Sequence, residues 1–206
     1  MTAKLFPLPD HFSRIGLFGG SFDPPHRGHL ESARRAADEL ALDQLAFVPA
    51  AHPPHKSKRT LSSFDLRRQM LELCLSLDER FRLCLIEKEA SLPGTTLETI
   101  LKLRRQGFTE ERCHLIWLMG SDALQDLNAW HEPQKLLESV EVAVLPRPGY
   151  PASEAKAQFL ANVRLLSTPL LDISAHEIRS HELSLEDAVI PAVAQFIRRQ
   201  GLYGYI

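Results

Sequence analysis

Short runs of apolar residues alternate along the chain with stretches in which apolar residues recur every three to four positions. The continuous runs predict buried strands over 14–18, 45–48, 115–119, 140–145 and 163–166, and an alternating pattern predicts another over 81–86. The periodic stretches predict helices over 29–42, 66–77, 97–106, 174–180 and 191–200. Ser63 and Ser174 stand where N-cap residues are expected. This alternation of strand and helix predicts an α/β fold: a Rossmann-like doubly wound parallel sheet with helices on both faces.

The length of 206 residues favours one domain over 1–206, since domains average roughly 150 residues. Within it, about 14–170 are expected to form the Rossmann-like core and about 171–206 a small C-terminal helical part. Open parallel sheets bind ligands beyond the carboxyl ends of their strands. We therefore expect the segments that follow the strands to meet at one edge and to carry the chemistry.

The overall charge argues against a generally basic protein but does not exclude a local basic site. With 24 Lys+Arg against 26 Asp+Glu, the net charge of −2 argues against a nucleic-acid coat or a membrane-surface binder, which usually carry a basic excess. The cysteines are scattered and in no metal or redox spacing. Because neither a signal peptide nor a run of about 20 apolar residues is evident, we expect a cytoplasmic protein with no nucleic-acid or membrane partner.

The longest motif follows the first predicted strand and reads Gly-Gly-Ser-Phe-Asp-Pro-Pro-His-Arg-Gly-His over 19–29. Its glycines permit a tight turn and close approach of a ligand to the backbone. His26 and His29 lie where a helix begins, and free N–H groups and the helix dipole attract phosphate there. Both imidazoles can donate N–H bonds to phosphate oxygens. A turn with incidental histidines, or a His-x-x-His metal site without a local third ligand, are the alternatives.

A basic segment follows the second predicted strand. No acidic residue occurs from 50 to 64, and His55 and Lys56 belong to a Pro-Pro-His-Lys element. The same segment holds His52, Lys58 and Arg59. Taken alone, it is typical of a solvated basic loop. Its place at the same sheet edge as His26 favours a phosphate clamp.

Later strands are followed by further polar residues. Asp122, in Gly120-Ser121-Asp122, can accept hydrogen bonds from ribose hydroxyls or cap a helix over 123–127. Trp130 lies in a polar stretch and suits a stacking platform for a pyridine ring. Arg147, in a Pro-Arg-Pro-Gly turn, contacts phosphate or is simply solvated.

The last of these segments is Ile-Ser-Ala-His-Glu-Ile-Arg over 173–179. Ser174 caps a predicted short helix, and Arg179 lies within its first two turns. A capped helix start beside a guanidinium suits a triphosphate.

Together these segments resemble the nucleotidyltransferase superfamily that shares its HxGH element with class I aminoacyl-tRNA synthetases. Within it they are similar to the bacterial nicotinate-nucleotide adenylyltransferases, and the resemblance covers nearly the whole chain. It implies an enzyme that transfers the adenylyl group of ATP to nicotinate mononucleotide and releases pyrophosphate. It also implies Mg²⁺ bound through the ATP phosphates, no metal site on the protein itself, and leaves a homo-oligomer open.

The resemblance also implies roles for individual residues. His26, His29 and Arg179 would be catalytic. The residues implied to bind ATP are Gly19, Gly20, Ser21, Phe22, His26, His29, Gly120, Asp122, Ser174 and Arg179. The residues implied to bind the acceptor are His55, Lys56, Thr96, Trp130 and Arg147.

Three places depart from the family pattern. His176 stands where Thr or Ser is usual, Ala50-Ala51 where Asn is usual, and Gly94-Thr95-Thr96 where Ser-Tyr-Thr is frequent. The last two fall on the acceptor side, so nicotinamide mononucleotide or phosphopantetheine stay open as acceptors. A nucleotide-binding module without turnover is disfavoured by the intact HxGH and the Ser174/Arg179 pair, and a synthetase-like RNA binder by the absent basic excess.

Overall fold

In the computed structural model, which describes residues 6–51, 61–89, 94–167 and 173–206, parallel strands form one six-stranded sheet. The strands are β1 (Ser13–Gly20), β2 (Gln44–Pro49), β3 (Phe81–Leu83), β4 (Cys113–Gly120), β5 (Glu141–Leu145) and β6 (Arg164–Leu165). Their order is β3-β2-β1-β4-β5-β6, and each neighbouring pair is parallel. The predicted Rossmann-like parallel sheet is confirmed.

Helices connect the strands and close the described chain. They are α1 (Arg27–Glu39), α2 (Phe64–Glu72), α3 (Thr96–Arg105), α4 (Ser121–Gln125), α5 (Pro133–Ser139), α6 (Ala157–Leu160), α7 (Ala175–Arg179), α8 (Leu185–Ala188) and α9 (Pro191–Arg199). Within the part of the chain that the structure describes, none of them has the length and apolar character needed to cross a bilayer.

Alternate strand residues face opposite sides of the sheet and pack into two apolar cores. Phe18 and Leu118 belong to one core, which the buried faces of α1, α2, α8 and α9 complete. Leu17 and Trp117 belong to the other, together with side chains from α3, α5 and α6. Because both faces are covered, the central strands are apolar throughout instead of alternating with polar residues.

Several predicted boundaries shift. The third strand ends at Leu83 instead of 86, because the chain leaves the sheet and forms the 3₁₀ turn Ile86–Glu89. The first helix covers Arg27–Glu39 instead of 29–42. Its end is set by Ala41, which has a φ of 48° in the left-handed region.

Other segments differ more. The second helix stops at Glu72, and a separate 3₁₀ turn, Leu75–Leu77, follows it. The last strand is only Arg164–Leu165 instead of 163–166. Helix α5 was not expected at all, and it begins with Pro133, whose fixed φ suits a first helical position.

The strand order places a crevice at one point of the sheet. β1 pairs with β2 on one side and with β4 on the other, so the order of connection reverses between β1 and β4. Open α/β sheets bind ligands at such a switch point, outside the carboxyl ends of the strands. Gly20 and Gly120, the last residues of β1 and β4, mark this position.

Candidate active site

The segment after β1 keeps its shape through packing. Gly19 and Gly20 are the last two residues of the strand, so the predicted tight turn at the glycines is wrong. The left-handed residue is instead Phe22, with a φ of 48°. A Cβ on Gly19 would lie 2.3 Å from Cζ2 of Trp117, so the glycine makes room for a buried indole. A side chain at this position would displace the core beneath the motif.

His26 and His29 cap the helix that they begin. Nδ1 of His26, the N-cap, accepts the His29 N–H at 3.3 Å, and Nδ1 of His29 accepts the His26 N–H at 3.3 Å. The two rings stack, with 3.6 Å between their centroids. In a neutral imidazole, an Nδ1 that accepts leaves the proton on Nε2. Both rings therefore carry an Nε2–H donor at the helix N-terminus.

The environment keeps His26 neutral. Only 5% of the residue is exposed, and this burial, with the nearby charge of Arg147, lowers the pKa of His26 to about 3. A neutral imidazole still donates from Nε2, so the ring acts on an anion as a hydrogen-bond donor without adding a full charge.

The segments after β4 and β5 are joined at this edge. Gly120 is the N-cap of α4, so the predicted cap role of Asp122 is wrong. Asp122 instead forms an ion pair with Nη1 of Arg147, and the Arg147 N–H donates to Ser121 Oγ at 2.8 Å. Arg147 is therefore held against Ser121 and Asp122 at the carboxyl end of β4, instead of simply extending into solvent.

The C-terminal motif packs against the segment after β1. Ser174 caps α7 as predicted: its Oγ accepts the Glu177 N–H at 3.2 Å, and the Glu177 carboxylate accepts the Ser174 N–H at 2.9 Å. Nη1 of Arg179 donates to the backbone oxygen of Asp23 at 2.7 Å. This contact brings residues 156 positions apart to the same edge.

The residues assigned to the acceptor are only partly described. Thr96 is the first residue of α3, which Thr95 caps reciprocally with Glu98. Trp130 is partly buried and packs against the core on the α3 face of the sheet. His55 and Lys56, with His52, Lys58 and Arg59, lie in 52–60, outside the described residues.

Sequence analysis missed a buried arginine beside the site. Arg67 on α2 is 2% exposed, and its guanidinium donates to the backbone oxygens of Ser21, Ala50 and Ser62 at 2.7, 2.8 and 3.1 Å. The signal was present in the helical pattern. Arg67 shares the buried face of α2 with Met70, three positions on.

Two buried carboxylates were missed as well. Asp23 is fully buried; Oδ1 accepts the Tyr203 hydroxyl at 2.6 Å, and Oδ2 accepts the Ser62 N–H at 3.2 Å. Glu87 accepts the Ala51 N–H and the Thr99 hydroxyl, each at 3.2 Å. Burial raises the pKa of Glu87.

Comparison with known proteins decides the family. The family described as Cytidylyltransferase-like matches residues 17–181. A Neisseria meningitidis serogroup C protein named "Probable nicotinate-nucleotide adenylyltransferase" is 39% identical over 203 residues, covering 92% of this chain and 98% of that protein. The chain belongs to the nicotinate-nucleotide adenylyltransferase family. A Thermus thermophilus protein of the same name is 38% identical, and the alignment covers 92% of this chain and 99% of that protein.

A solved structure agrees with the fold of this nicotinate-nucleotide adenylyltransferase family member. The structure of Plasmodium falciparum nicotinic acid mononucleotide adenylyltransferase complexed with NaAD superposes with a TM-score of 0.75. The superposition covers 94% of this chain and 98% of that chain. At 19% identity, this likeness concerns the fold alone.

Two of the three departures from the family pattern lie around a single carboxylate, that of Glu87. Ala51 donates its N–H to Glu87, and Thr95 caps the helix whose Thr99 donates its hydroxyl to the same group. The two unusual segments, Ala50-Ala51 and Gly94-Thr95-Thr96, are therefore connected through Glu87. They form one connected unit.

Proposed function

We propose that this protein transfers the adenylyl group of ATP to nicotinate mononucleotide, forming nicotinate adenine dinucleotide and pyrophosphate in NAD biosynthesis. The observation that carries the proposal is the pair of Nε2–H donors on His26 and His29, set at a helix N-terminus beside Arg179. This pair of donors lies at the switch point of the sheet. The chain belongs to the nicotinate-nucleotide adenylyltransferase family.

The reaction is an in-line displacement. A phosphate oxygen of nicotinate mononucleotide attacks the α-phosphorus of ATP, and the bond from this phosphorus to the bridging oxygen of the β-phosphate breaks. Pyrophosphate leaves with the electron pair of that bond. Because the attacking phosphate is already anionic at neutral pH, no general base is needed. Catalysis therefore rests on positioning and charge stabilisation.

Each proposed residue has one task in this scheme. His26 and His29 donate to ATP phosphate oxygens as negative charge builds up in the transition state. Ser174 and Arg179 hold the β- and γ-phosphates at the start of α7. The backbone from Gly19 to Phe22 receives the phosphate chain, and Gly120 with Asp122 receives the ribose.

The acceptor side is assigned to His55, Lys56, Thr96, Trp130 and Arg147. Of these, Arg147 is expected to lie between the two substrates. Its ion pair with Asp122 and the effect of its charge on His26 support that placement. A guanidinium there can contact the phosphates of both partners.

Nucleotidyltransferases of this kind use a divalent metal ion with ATP, and we assign Mg²⁺. Among the described residues, no three His, Cys, Asp or Glu side chains converge to hold a metal. Mg²⁺ commonly keeps several water ligands and binds through substrate phosphates, and we assign it that mode of binding here. Bound in this way, Mg²⁺ neutralises charge on the pyrophosphate.

The test is a panel of acceptors supplied with ATP and Mg²⁺: nicotinate mononucleotide, nicotinamide mononucleotide, phosphopantetheine and nicotinate riboside. We expect pyrophosphate release with nicotinate mononucleotide alone, since nicotinate riboside lacks the attacking phosphate. Release with phosphopantetheine or the amide alone would contradict the acceptor. ATP binding without release for any acceptor would contradict turnover and favour a binding module.

A further inference from the structure

The last residues of the chain fold back towards the site. Residues 201–206, named here the C-terminal tail, follow α9. The Tyr205 hydroxyl donates to the backbone oxygen of Ile178 on α7 at 2.9 Å, and the Tyr205 ring stacks on His181 with 4.2 Å between the ring centroids. Nε2 of His181 lies 2.8 Å from the backbone oxygen of Tyr203. The C-terminal tail is therefore fixed to α7 and to the turn just after it.

The backbone of the C-terminal tail bends so tightly that a tyrosine adopts a left-handed conformation. Tyr203 has a φ of 56° and a ψ of 18°, and Gly201 and Gly204 on either side of it also have positive φ. A residue with a side chain is strained in this region and stays there only where its surroundings hold it. The interactions that hold Tyr203 include those of its hydroxyl group.

The Tyr203 hydroxyl binds a buried carboxylate. It donates to Oδ1 of Asp23 at 2.6 Å, and Oδ2 of Asp23 accepts the Ser62 N–H at 3.2 Å. Because Asp23 is fully buried, its carboxylate oxygens need such donors. Burial and the charge of Asp23 raise the pKa of Tyr203, so the hydroxyl stays protonated and donates at neutral pH. Tyr203 and Ser62 thus fix the Asp23 side chain at both oxygens.

Asp23 in turn holds the arginine of the proposed phosphate site. The backbone oxygen of Asp23 accepts a hydrogen bond from Nη1 of Arg179 at 2.7 Å. A guanidinium has five N–H donors in one plane. An arginine held at one nitrogen can therefore bind phosphate with its other donors, in an orientation that the holding contact sets. Asp23 connects Tyr203 to Arg179, because its side chain binds the one and its backbone the other.

We propose that Tyr203 is a positioning residue, through which the C-terminal tail orients Arg179 towards the phosphates of ATP. Tyr203 fixes Asp23, and the backbone oxygen of Asp23 orients the guanidinium. The inference rests on the proposed function, which assigns Arg179 to the β- and γ-phosphates, and it adds a residue to which no substrate contact is assigned. An arginine that is not held in place binds phosphate less tightly, because binding must then also order its side chain.

The test is a double-mutant cycle on the binding of α,β-methylene-ATP, whose α–β linkage is not cleaved, measured by calorimetry in the presence of Mg²⁺. The four proteins are the wild type, Tyr203→Phe, Arg179→Met and the double variant. Arg179→Met should weaken binding about 10- to 100-fold, because it removes a charged hydrogen-bond donor. Tyr203→Phe should weaken binding at least about threefold in the wild-type background. In the Arg179→Met background, the same change should leave the dissociation constant unchanged.

The cycle separates positioning from a general structural role. If Tyr203 only stabilised the fold, Tyr203→Phe would lower the melting temperature and change the dissociation constant equally in both backgrounds. Tyr150→Phe is the matched control, since it also removes one tyrosine hydroxyl, from a residue that is 45% exposed. It should leave the dissociation constant as in the wild type.

Tyr205→Phe decides if Tyr203→Phe does not fold. It removes the hydroxyl that anchors the C-terminal tail to Ile178. We expect it to weaken binding at least about twofold in the wild-type background and to have no effect in the Arg179→Met background.

The outcomes separate the two proposals, because the cycle measures binding and the proposed function is tested by turnover. A wild-type protein that releases no pyrophosphate with any acceptor contradicts the proposed function, while the cycle still decides on the positioning role. Equal effects of Tyr203→Phe in both backgrounds, or no effect in the wild-type background, overturn the positioning role alone. An Arg179→Met variant that binds the analogue like the wild type contradicts the phosphate role of Arg179 and overturns the positioning role with it.

Discussion

Each histidine of the HxGH element has two functions, one for each ring nitrogen. Nδ1 of His26 and of His29 accepts a backbone N–H and stabilises the start of α1. Nε2 carries the proton and serves as a donor to phosphate. The two functions belong to different atoms. A substituted side chain that replaces Nδ1 but not Nε2 therefore tests catalysis without removing the helix cap.

His29→Asn should remove the donor and keep the cap. The Asn Oδ1 lies at the position of Nδ1 and can accept the His26 N–H, whereas nothing replaces Nε2. We expect turnover to fall about 100- to 1000-fold, the usual effect of losing one transition-state donor. The melting temperature should change little. His114→Asn, at the opposite end of β4 beside Glu141, is the control. Turnover within tenfold of wild type would exclude the assigned role.

Burial of His26 makes the stability of the protein depend on pH in a defined window. Burial lowers the pKa of His26 to about 3 in the folded state, whereas an ordinary histidine titrates near 6.5. Above about 6.5 its contribution is complete; below that value only the unfolded chain takes up the proton, so stability falls as the pH falls towards 3. His26→Asn removes this titration.

We therefore expect the wild-type free energy of unfolding to fall faster than that of His26→Asn between pH 6.5 and 4.5. The difference in slope approaches about 1.4 kcal/mol per pH unit at the acid end. Urea titrations at pH 7.5, 6.5, 5.5 and 4.5 measure it. Parallel curves for the two proteins would show that His26 is not held neutral.

At the scale of elements, the sequence predicts what depends on local pattern and misses what depends on tertiary contact. The central strands have continuous apolar runs, and the caps Ser63 and Ser174 have short-range partners, so all of these were predicted correctly. The third strand was predicted too long. Its length depends on how far it pairs with β2, which covers Phe81 to Leu83 only, and no local pattern contains that pairing.

The same distinction applies to the site. The motifs identified His26, His29 and Ser174 because each lies beside a helix start, and Arg179 because it lies in the same short helix that Ser174 caps. Arg67 was missed, because a single arginine in a helix is usually solvated and its three acceptors come from other segments. Only the positions of its neighbours on the buried face of α2 indicated otherwise.

Glu87 connects the 3₁₀ turn Ile86–Glu89 to Ala51, which follows β2, and to Thr99 of α3. Its burial opposes ionisation of the carboxyl group. Its raised pKa means that the folded protein holds the proton more tightly than the unfolded chain. Stability is therefore lost as the pH rises above about 4.5 through the folded-state value. Glu87→Gln cannot ionise, accepts the Ala51 N–H, and can donate to the Thr99 hydroxyl.

Relative to wild type, Glu87→Gln should gain stability from pH 5 to pH 8. Urea titrations at both values measure the difference in the free energy of unfolding. Glu138→Gln, at an exposed position on α5, is the control and should show no such change. A Glu87→Gln advantage that is equal at both pH values would contradict the buried ionisation.

At the scale of the whole molecule, the C-terminal helices are part of the core. Buried side chains of α8 and α9, such as Val193 and Phe196, pack in the same cluster as Phe18 and Leu118 of the central strands. We therefore propose that 1–206 is one domain, in which the C-terminal part shares the core of the sheet. Such a domain unfolds in one step, because neither part keeps its core without the other.

Phe196→Ala tests this proposal, because it removes a buried ring from α9 while both tryptophans of the chain report on the opposite face of the sheet. Loss of a buried phenylalanine costs about 3–5 kcal/mol. In a single cooperative domain of this size, the melting temperature should fall by about 10 °C.

Far-UV circular dichroism and the fluorescence of Trp117 and Trp130 should show the same shift. Phe12→Ala is the control, since Phe12 is 58% exposed. Helical signal lost before the fluorescence changes would mean that the C-terminal helices unfold separately, and the single-domain proposal would then be wrong.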